Sequence, residues 1–384
     1  MNIQLSLLKS QLRLVLADSG KNHQEKFHIT PKIRRELINN FEFLEGDQKN
    51  QKSILNTNYG KTVGNNIFNI LTKCDNKKIQ ETIKWGSEKS NHLIFINDDK
   101  YPLRLKEIDD APILLYVKGN LELLNTPAIS IVGSRSATSY GIRLAEEFAS
   151  QLSASGITII SGLALGIDSA AHQGAMQNDS NATIGILGTG ANIIYPKKSI
   201  KLAREMAEKA LIITEFPLNT APRPFNFPKR NRIIAALSLG CLVIEASFRS
   251  GALITAKLAA DYGVDIFAIP GSVHSPLSRG THKLIREGAK LVETTNDILE
   301  ELHSQIIPLI KSDSSETKIS NEQVNNNEII NKDILNLIPY SPTLIDELVT
   351  KSNLEIGEIH SQLLNLEMQG FIESLPGSRF QRIK

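Results

Sequence analysis

An α/β fold built on a doubly wound, mainly parallel sheet is what this sequence of 384 residues predicts. Three observations carry that prediction. From residue 128 onward, short apolar runs recur along the chain. The runs are continuously apolar rather than alternating, as strands covered on both faces are. Segments of helical length separate most of them, and strand alternating with helix across short loops winds a parallel sheet with helices on both sides.

The predicted strands cover 128–132, 157–160, 183–187, 210–213, 241–244, 264–269 and 290–292. The main helices between them cover 141–154, 167–176, 199–209, 229–239 and 251–262. Together they compose an extended Rossmann-like domain over 91–310, approached through a turn at 98–102 and a short strand at 113–117. Residues 1–90 are rich in Asn and Lys, and periodic pieces at 33–43 and 67–79 predict a small helical domain there. Residues 311–327, KSDSSETKISNEQVNNN, are polar and free of aromatics, the composition of a linker. Helices over 328–337, 343–350 and 356–369 follow, with Gly370 as a stop signal. Strand-like pieces at 371–375 and 379–383, joined by Pro376–Gly377–Ser378, complete a winged helix over 328–384.

Composition narrows the function classes. The chain is 41% hydrophobic and 22% charged, ordinary for a globular protein. No apolar run reaches the ~18 residues of a membrane span, and the first residues lack the pattern of a secretory signal. Two cysteines, Cys74 and Cys241, match no zinc spacing and fit a reducing cytoplasm. The net charge of +2 conceals a dipolar layout. Residues 1–90 hold 15 basic and 9 acidic residues, 91–222 hold 11 and 13, 223–290 hold 10 and 4, and 291–384 hold 7 and 15. Local patches attract polyanions, so two basic stretches keep nucleic acid in view.

Ligands of such a sheet bind beyond the carboxyl ends of its strands. After the first parallel strand, Gly133, Ser134 and Arg135 lead into a helix, and a backbone turn, free helix N–H groups and a cation all favour a phosphate. The plainer reading is an ordinary capped turn. After the second strand, Gly162 and Gly166 flank a tight loop; Asp168 reads as a cap rather than an acid catalyst, and His172 as a packed histidine. After the third, Gly188–Thr189–Gly190 begins like a dinucleotide fingerprint, but Ile193 stands at the third glycine position. The most informative segment is 223–232, with four basic residues in ten and two phenylalanines. Lys229, Arg230, Asn231 and Arg232 open a helix here, and cations on successive phosphates with Phe227 stacked on a base would hold a single strand without reading its sequence. The plainer alternative is a solvated basic turn whose Phe225 and Phe227 fill the core. Ser250 and Gly251 offer a further helix N-terminus, and Arg279 and Lys283 add charge on a polar loop beside His274 and His282. No paired carboxylates, nucleophile elbow or Walker A sequence is present, so enzyme chemistry has no evident home and no catalytic or metal residue is assigned.

Read together, these motifs resemble the DNA-processing protein A family (DprA, also called Smf). The resemblance runs from about residue 98 to the C-terminus. It covers Tyr101–Pro102, Gly133–Ser134–Arg135, Ser161–Gly162–Leu163–Ala164 with Gly166–Ile167–Asp168, the run from Phe227 to Ile233, Glu245–Ala246 with Ser250–Gly251–Ala252, and Pro270–Gly271. His282 stands where many members carry Asn. The first ~90 residues match only loosely, where the family often has a sterile-alpha-motif-like helical domain. The resemblance implies a cytoplasmic single-stranded-DNA-binding homodimer. It would protect incoming strands and load RecA recombinase onto them during natural transformation, with no cofactor, no membrane partner and no catalytic turnover. It carries strand-binding roles to Gly133, Ser134, Arg135, Phe227, Lys229, Arg230 and Arg232. Two other readings are weighed: a nucleotide hydrolase of the lysine-decarboxylase-like phosphoribohydrolase type, and a duplex-DNA regulator acting through the winged helix. Against the latter, residues 328–384 hold 5 basic and 8 acidic residues, so a protein-contacting or autoregulatory tail is expected.

Overall fold

The computed structural model describes residues 30–39, 48–72, 76–178 and 182–302, together with 337–339, 343–352, 371–375, 379–382 and single positions between 359 and 367. The expected linker, the helix expected over 328–337 (apart from its last residue) and most of that over 356–369 lie outside these residues. The chain forms two compact units, Met1–Ile310 and Lys311–Lys384.

The first unit is built on a nine-stranded sheet. Its strands are β1 (Asn91–Phe95), β2 (Leu114–Gly119), β3 (Ala128–Val132), β4 (Thr158–Ser161), β5 (Thr183–Ile186), β6 (Leu211–Thr214), β7 (Gly240–Val243), β8 (Asp265–Ala268) and β9 (Lys290–Leu291). They lie in the order β1-β2-β6-β5-β4-β3-β7-β8-β9. From β3 to β9 every pairing is parallel. The remaining edge is antiparallel: β2 pairs with β6, Tyr116 opposite Thr214, and β1 pairs with β2, Asn91 opposite Lys118. The mainly parallel α/β sheet expected from the sequence is therefore present. β1 was not expected, because five residues beginning Asn-His carry too little apolar pattern and their pairing with β2 supplies the stability instead.

Burial explains the apolar runs. β3 through β7 are buried along their whole length. Ile129 and Ile131 point into one apolar layer with Phe148 and Leu152, while Ala128 and Val132 point into the other. Phe148 and Leu152 lie on helix α6 (Ser139–Ala154), where i, i+4 spacing lays them on one face. Burying each contributes about 2–3 kcal/mol. Among the described residues, four helices precede the sheet: α1 (Pro31–Asn39), α2 (Gln48–Tyr59), α3 (Lys61–Thr72) and α4 (Asn76–Gly86). The piece expected over 67–79 spans the end of α3 and the start of α4. Leu37, Leu55 and Ile67 of these helices belong to the same apolar cluster as the sheet. On α4, Trp85 packs against Tyr116 of β2, with ring centroids 5.7 Å apart.

The other helices that matter for the site are α5 (Leu103–Glu107), α7 (Ile167–Ala175), α8 (Ile200–Lys209), α9 (Asn226–Leu237), α10 (Gly251–Asp261) and α11 (Arg279–Arg286). The chain leaves β3 toward β4, β5 and β6, then returns through α9 to lay β7 on the other side of β3. The strand order thus reverses between β3 and β7, and the loops after these two strands diverge to leave a crevice.

In the second unit, β10 (Thr343–Leu344), β11 (Ile372–Leu375) and β12 (Arg379–Arg382) form a sheet in the order β10-β12-β11. Helix α12 spans Ile345–Ser352. Thr343 and Leu344, expected to begin this helix, pair instead with Phe380 and Arg379, so the helix starts two residues later. Leu348, Leu363, Leu366 and Ile372 make its core. No helix among the described residues is long and apolar enough to cross a membrane.

Candidate nucleic-acid interface

A cavity of about 560 Å³ opens at the reversal point, with one wall from residues 133–136 and another from 247–255. It brings together Gly133, Ser134, Arg135, Phe227, Arg230, Asn231, Ser250 and Gly251, eight of the residues singled out in the sequence. Their individual roles differ.

Arg135 is exposed, and its guanidinium carbon lies 5.5 Å from the centre of the Phe227 ring. Among the described residues it forms no ion pair. Phe227 is half-buried, with the Tyr195 ring 5.6 Å away and Gly188 so close that a Cβ there would stand 2.8 Å from the ring. Its surface is therefore largely taken by Arg135, Tyr195 and backbone. Aromatic rings open to solvent nearby include Tyr195, 45% exposed, and Phe225, 50% exposed with Arg223 lying 6.0 Å from its centre.

Arg230 differs from the phosphate-facing cation that its position in the basic run predicts. It is 3% exposed. Nη1 donates to the Gly162 carbonyl at 2.6 Å and to that of Ile186, and Nε donates to Asn231 Oδ1 at 3.1 Å. It braces the carboxyl ends of β4 and β5. Gly162 matches this brace, because a Cβ at that position would lie 2.3 Å from Nη1. Burial lowers the Arg230 pKa to about 10, with the Asp168 carboxylate working in the opposite direction. Asp168 is buried, and its Oδ2 accepts the Gly162 N–H at 3.2 Å. Burial raises its pKa and Arg230 opposes the rise. It ties the loop after β4 back on itself, whereas Gly166 occupies the N-cap of α7.

His172 is fully buried. The Thr183 hydroxyl donates to the Ile159 carbonyl at 2.8 Å, so the 2.7 Å contact between His172 Nδ1 and that hydroxyl places the proton on Nδ1. Burial, aided by Arg230, presses the imidazole pKa to about 3. It is a neutral, packed histidine.

Lys229 and Arg232 sit three residues apart on α9 and turn away from the cavity. Arg232 is 6% exposed, with Nη2 2.8 Å from Glu215 Oε2 and Nε 2.6 Å from Asp110 Oδ2. Burial opposes its charge, but Glu215 and Asp110 outweigh that and raise its pKa. Lys229 Nζ lies 3.8 Å from the same Glu215 oxygen. The expectation that the basic run forms one phosphate-binding face is corrected: its cations divide between two faces and the buried ones are neutralised by acids.

Ser250 caps α10, its hydroxyl accepting the Ala252 N–H at 3.3 Å, and Gly251 lies exposed on the cavity lip. The positive end of an 11-residue helix is therefore turned toward the cavity. The N-terminus of α6, expected to be open, is occupied by Glu245. Arg279 and Lys283 lie elsewhere. Arg279 lines a neighbouring cavity of about 580 Å³ with Phe248 and His282. Lys283 Nζ stands 5.3 Å from the Phe248 ring centre and 3.7 Å from Glu287. Ser247 and Ser250 face the first cavity and Phe248 the second, so the 247–250 segment is the ridge between them.

Sequence reasoning missed Tyr195 and the exposed Lys197 and Lys198 that follow it, and it named Glu245 within a motif without giving it a role. An acid directly after the apolar run Cys-Leu-Val-Ile is the signal that could have marked Glu245. Tyr195 carried none, because its closeness to Phe227 brings together a loop and the first turn of α9 from distant parts of the chain.

Comparison with known proteins places this arrangement. Residues 92–303 match the model of the family "DNA recombination-mediator protein A", and 327–378 match the "DprA winged helix domain". Protein Smf of Escherichia coli is 37% identical over 302 residues, 78% of this chain and 80% of its own. DNA processing protein DprA of Streptococcus pneumoniae is 47% identical over 206 residues, 54% of this chain and 72% of its own. The solved structure of the Streptococcus pneumoniae protein superposes with a TM-score of 0.57 at 36% identity, covering 72% of this chain and 99% of that one. A Helicobacter pylori DNA processing protein A, whose structure describes its single-stranded DNA binding mode, superposes with a TM-score of 0.51 at 29% identity, covering 56% of this chain and 96% of that one. On the match of its sheet domain, its winged helix and its relatives, this chain belongs to the DNA recombination-mediator protein A family.

Proposed function

We propose that this chain binds single-stranded DNA across the crevice between β3 and β7, protects it, and loads RecA recombinase onto it during natural transformation, acting as a homodimer in the cytoplasm and turning over no substrate. The observation that carries the strand-binding part is the cation–aromatic surface at the crevice. Arg135 lies on Phe227 and Arg223 on Phe225, with Tyr195 beside them, while Lys283 lies on Phe248 across the ridge. Cations follow a phosphate backbone, and exposed rings stack on bases of any sequence. The single-strand binding of the Helicobacter pylori relative supports the reading, and family membership supports the recombination role.

The hydrolase reading receives less support, because the carboxylate that lines the cavity, Asp168, is engaged with backbone N–H, and Glu245 beside the 134–138 loop is engaged with Thr138. A salt-series titration with single-stranded, double-stranded and mononucleotide ligands, repeated with RecA present, tests the proposal. Salt-dependent preference for the single strand and faster RecA filament growth are expected. A preference for mononucleotide or duplex overturns the strand-binding part.

A further inference from the structure

The loop that carries Arg135 is gripped on both sides by one residue. Glu245, which follows the end of β7, is 9% exposed. Its main-chain carbonyl accepts the Ser134 N–H at 2.7 Å, just before Arg135. Its side chain reaches the far side of the loop, where Oε1 accepts the Thr138 hydroxyl at 2.6 Å and Oε2 accepts the Thr138 N–H at 2.9 Å. Thr138 Oγ1 in turn accepts the Gly141 N–H at 3.0 Å and caps α6. Gly141 lies against the same carboxylate, and a Cβ there would stand 2.5 Å from its carboxyl carbon. The carboxylate occupies the helix N-terminus where a bound anion would otherwise sit.

Simple electrostatics says that a carboxylate this near a nucleic-acid site weakens binding. We propose that Glu245 is instead a positioning residue of the strand site, spending its charge on residues 134–138 so that Arg135 is held over Phe227 before the strand arrives. The inference rests on the single-strand reading. Relative magnitudes set the sign. A hydrogen bond to a charged group is worth roughly ten- to a hundredfold in an equilibrium, and Glu245 makes two. Repulsion of a solvated phosphate several ångströms away is screened to only about a few fold.

The test titrates a labelled oligo(dT) against the full chain, Glu245→Ala, Glu245→Gln, Thr138→Ala and the Glu245→Ala/Thr138→Ala double variant, with thermal unfolding of each. Glu245→Ala is expected to bind at least about tenfold more weakly than the unmodified chain. Glu245→Gln should recover most of the loss, since its amide oxygen still accepts from Thr138, and Thr138→Ala should add little once Glu245 is gone. Affinity of Glu245→Ala equal to or above that of the unmodified chain overturns the inference, as does a Glu245→Gln variant no better than it. If Glu245→Ala fails to fold, Thr138→Ala decides: weaker binding by a folded variant supports the inference, and unchanged binding overturns it. An unmodified chain that binds no oligonucleotide overturns the single-strand reading and this inference together, whereas tight binding by both it and Glu245→Ala overturns the inference alone.

Discussion

Replacing Arg230 by Leu separates a structural brace from a phosphate contact. The side chain donates to the Gly162 and Ile186 carbonyls and neutralises buried Asp168. Its removal takes from a buried carboxylate the stronger of its two opposing charges, leaving only Arg135, and leaves two carbonyls without this donor. Breaking a buried pair in this way costs about 3–5 kcal/mol, and a domain of this size loses roughly 2–4 °C of Tm per kcal/mol. A fall of roughly 6–20 °C is therefore expected. The deficit should also depend on pH. Arg230 restrains the burial-driven rise of the Asp168 pKa, so in the variant that pKa climbs further above its unfolded value. A carboxyl with a raised folded-state pKa contributes stability at low pH that is lost as pH rises through that pKa. The gap between variant and unmodified chain should consequently widen with rising pH and narrow in acid. Differential scanning fluorimetry across pH, beside an oligonucleotide titration, measures both. An unchanged Tm with a reduced salt slope of DNA binding would refute the brace and restore Arg230 as a phosphate contact.

Other expectations follow from the same site. Arg135→Ala should leave Tm unchanged, reduce the salt slope of single-strand binding by about 0.7 and weaken affinity regardless of sequence, read from a salt-series titration. Tyr195→Ala should weaken single-strand binding by about 1–3 kcal/mol without altering the salt slope, and Tyr195→Trp should restore it. Equilibrium titration of the two variants at matched salt checks this. A chain ending at Ile310 should keep its oligonucleotide affinity, since the remaining unit holds the whole crevice; collapse of affinity in a folded truncation would move the site to the winged helix.

The sheet was legible because strands buried on both faces leave apolar runs, but where its strand order reverses was not, since that is set by the pairing of β3 with β7. The cations of the crevice were less legible too. Residues 229–232 display charge and spacing, but what Arg232 does depends on Asp110 and Glu215, and what Arg230 does depends on Gly162, Ile186 and Asp168. Those partners arrive through β-sheet pairing, which sequence spacing does not report. His172 was read more faithfully, because its Ala-rich surroundings already imply close packing, whereas Asp168, expected as the cap of its helix, ties the Gly162 loop instead and leaves the N-cap to Gly166. β1 escaped notice because its stability comes from β2, and Thr343–Leu344 because two residues carry no period.

The pairing of β3 with β7 joins Ile129 to Gly240, with β4, β5 and β6 all lying between them in the chain. One wall of the crevice therefore waits for the other through more than a hundred residues of synthesis. On the single-strand reading proposed above, the two-walled crevice is therefore completed late, by a long-range pairing whose loop-closure cost the intervening strands must offset.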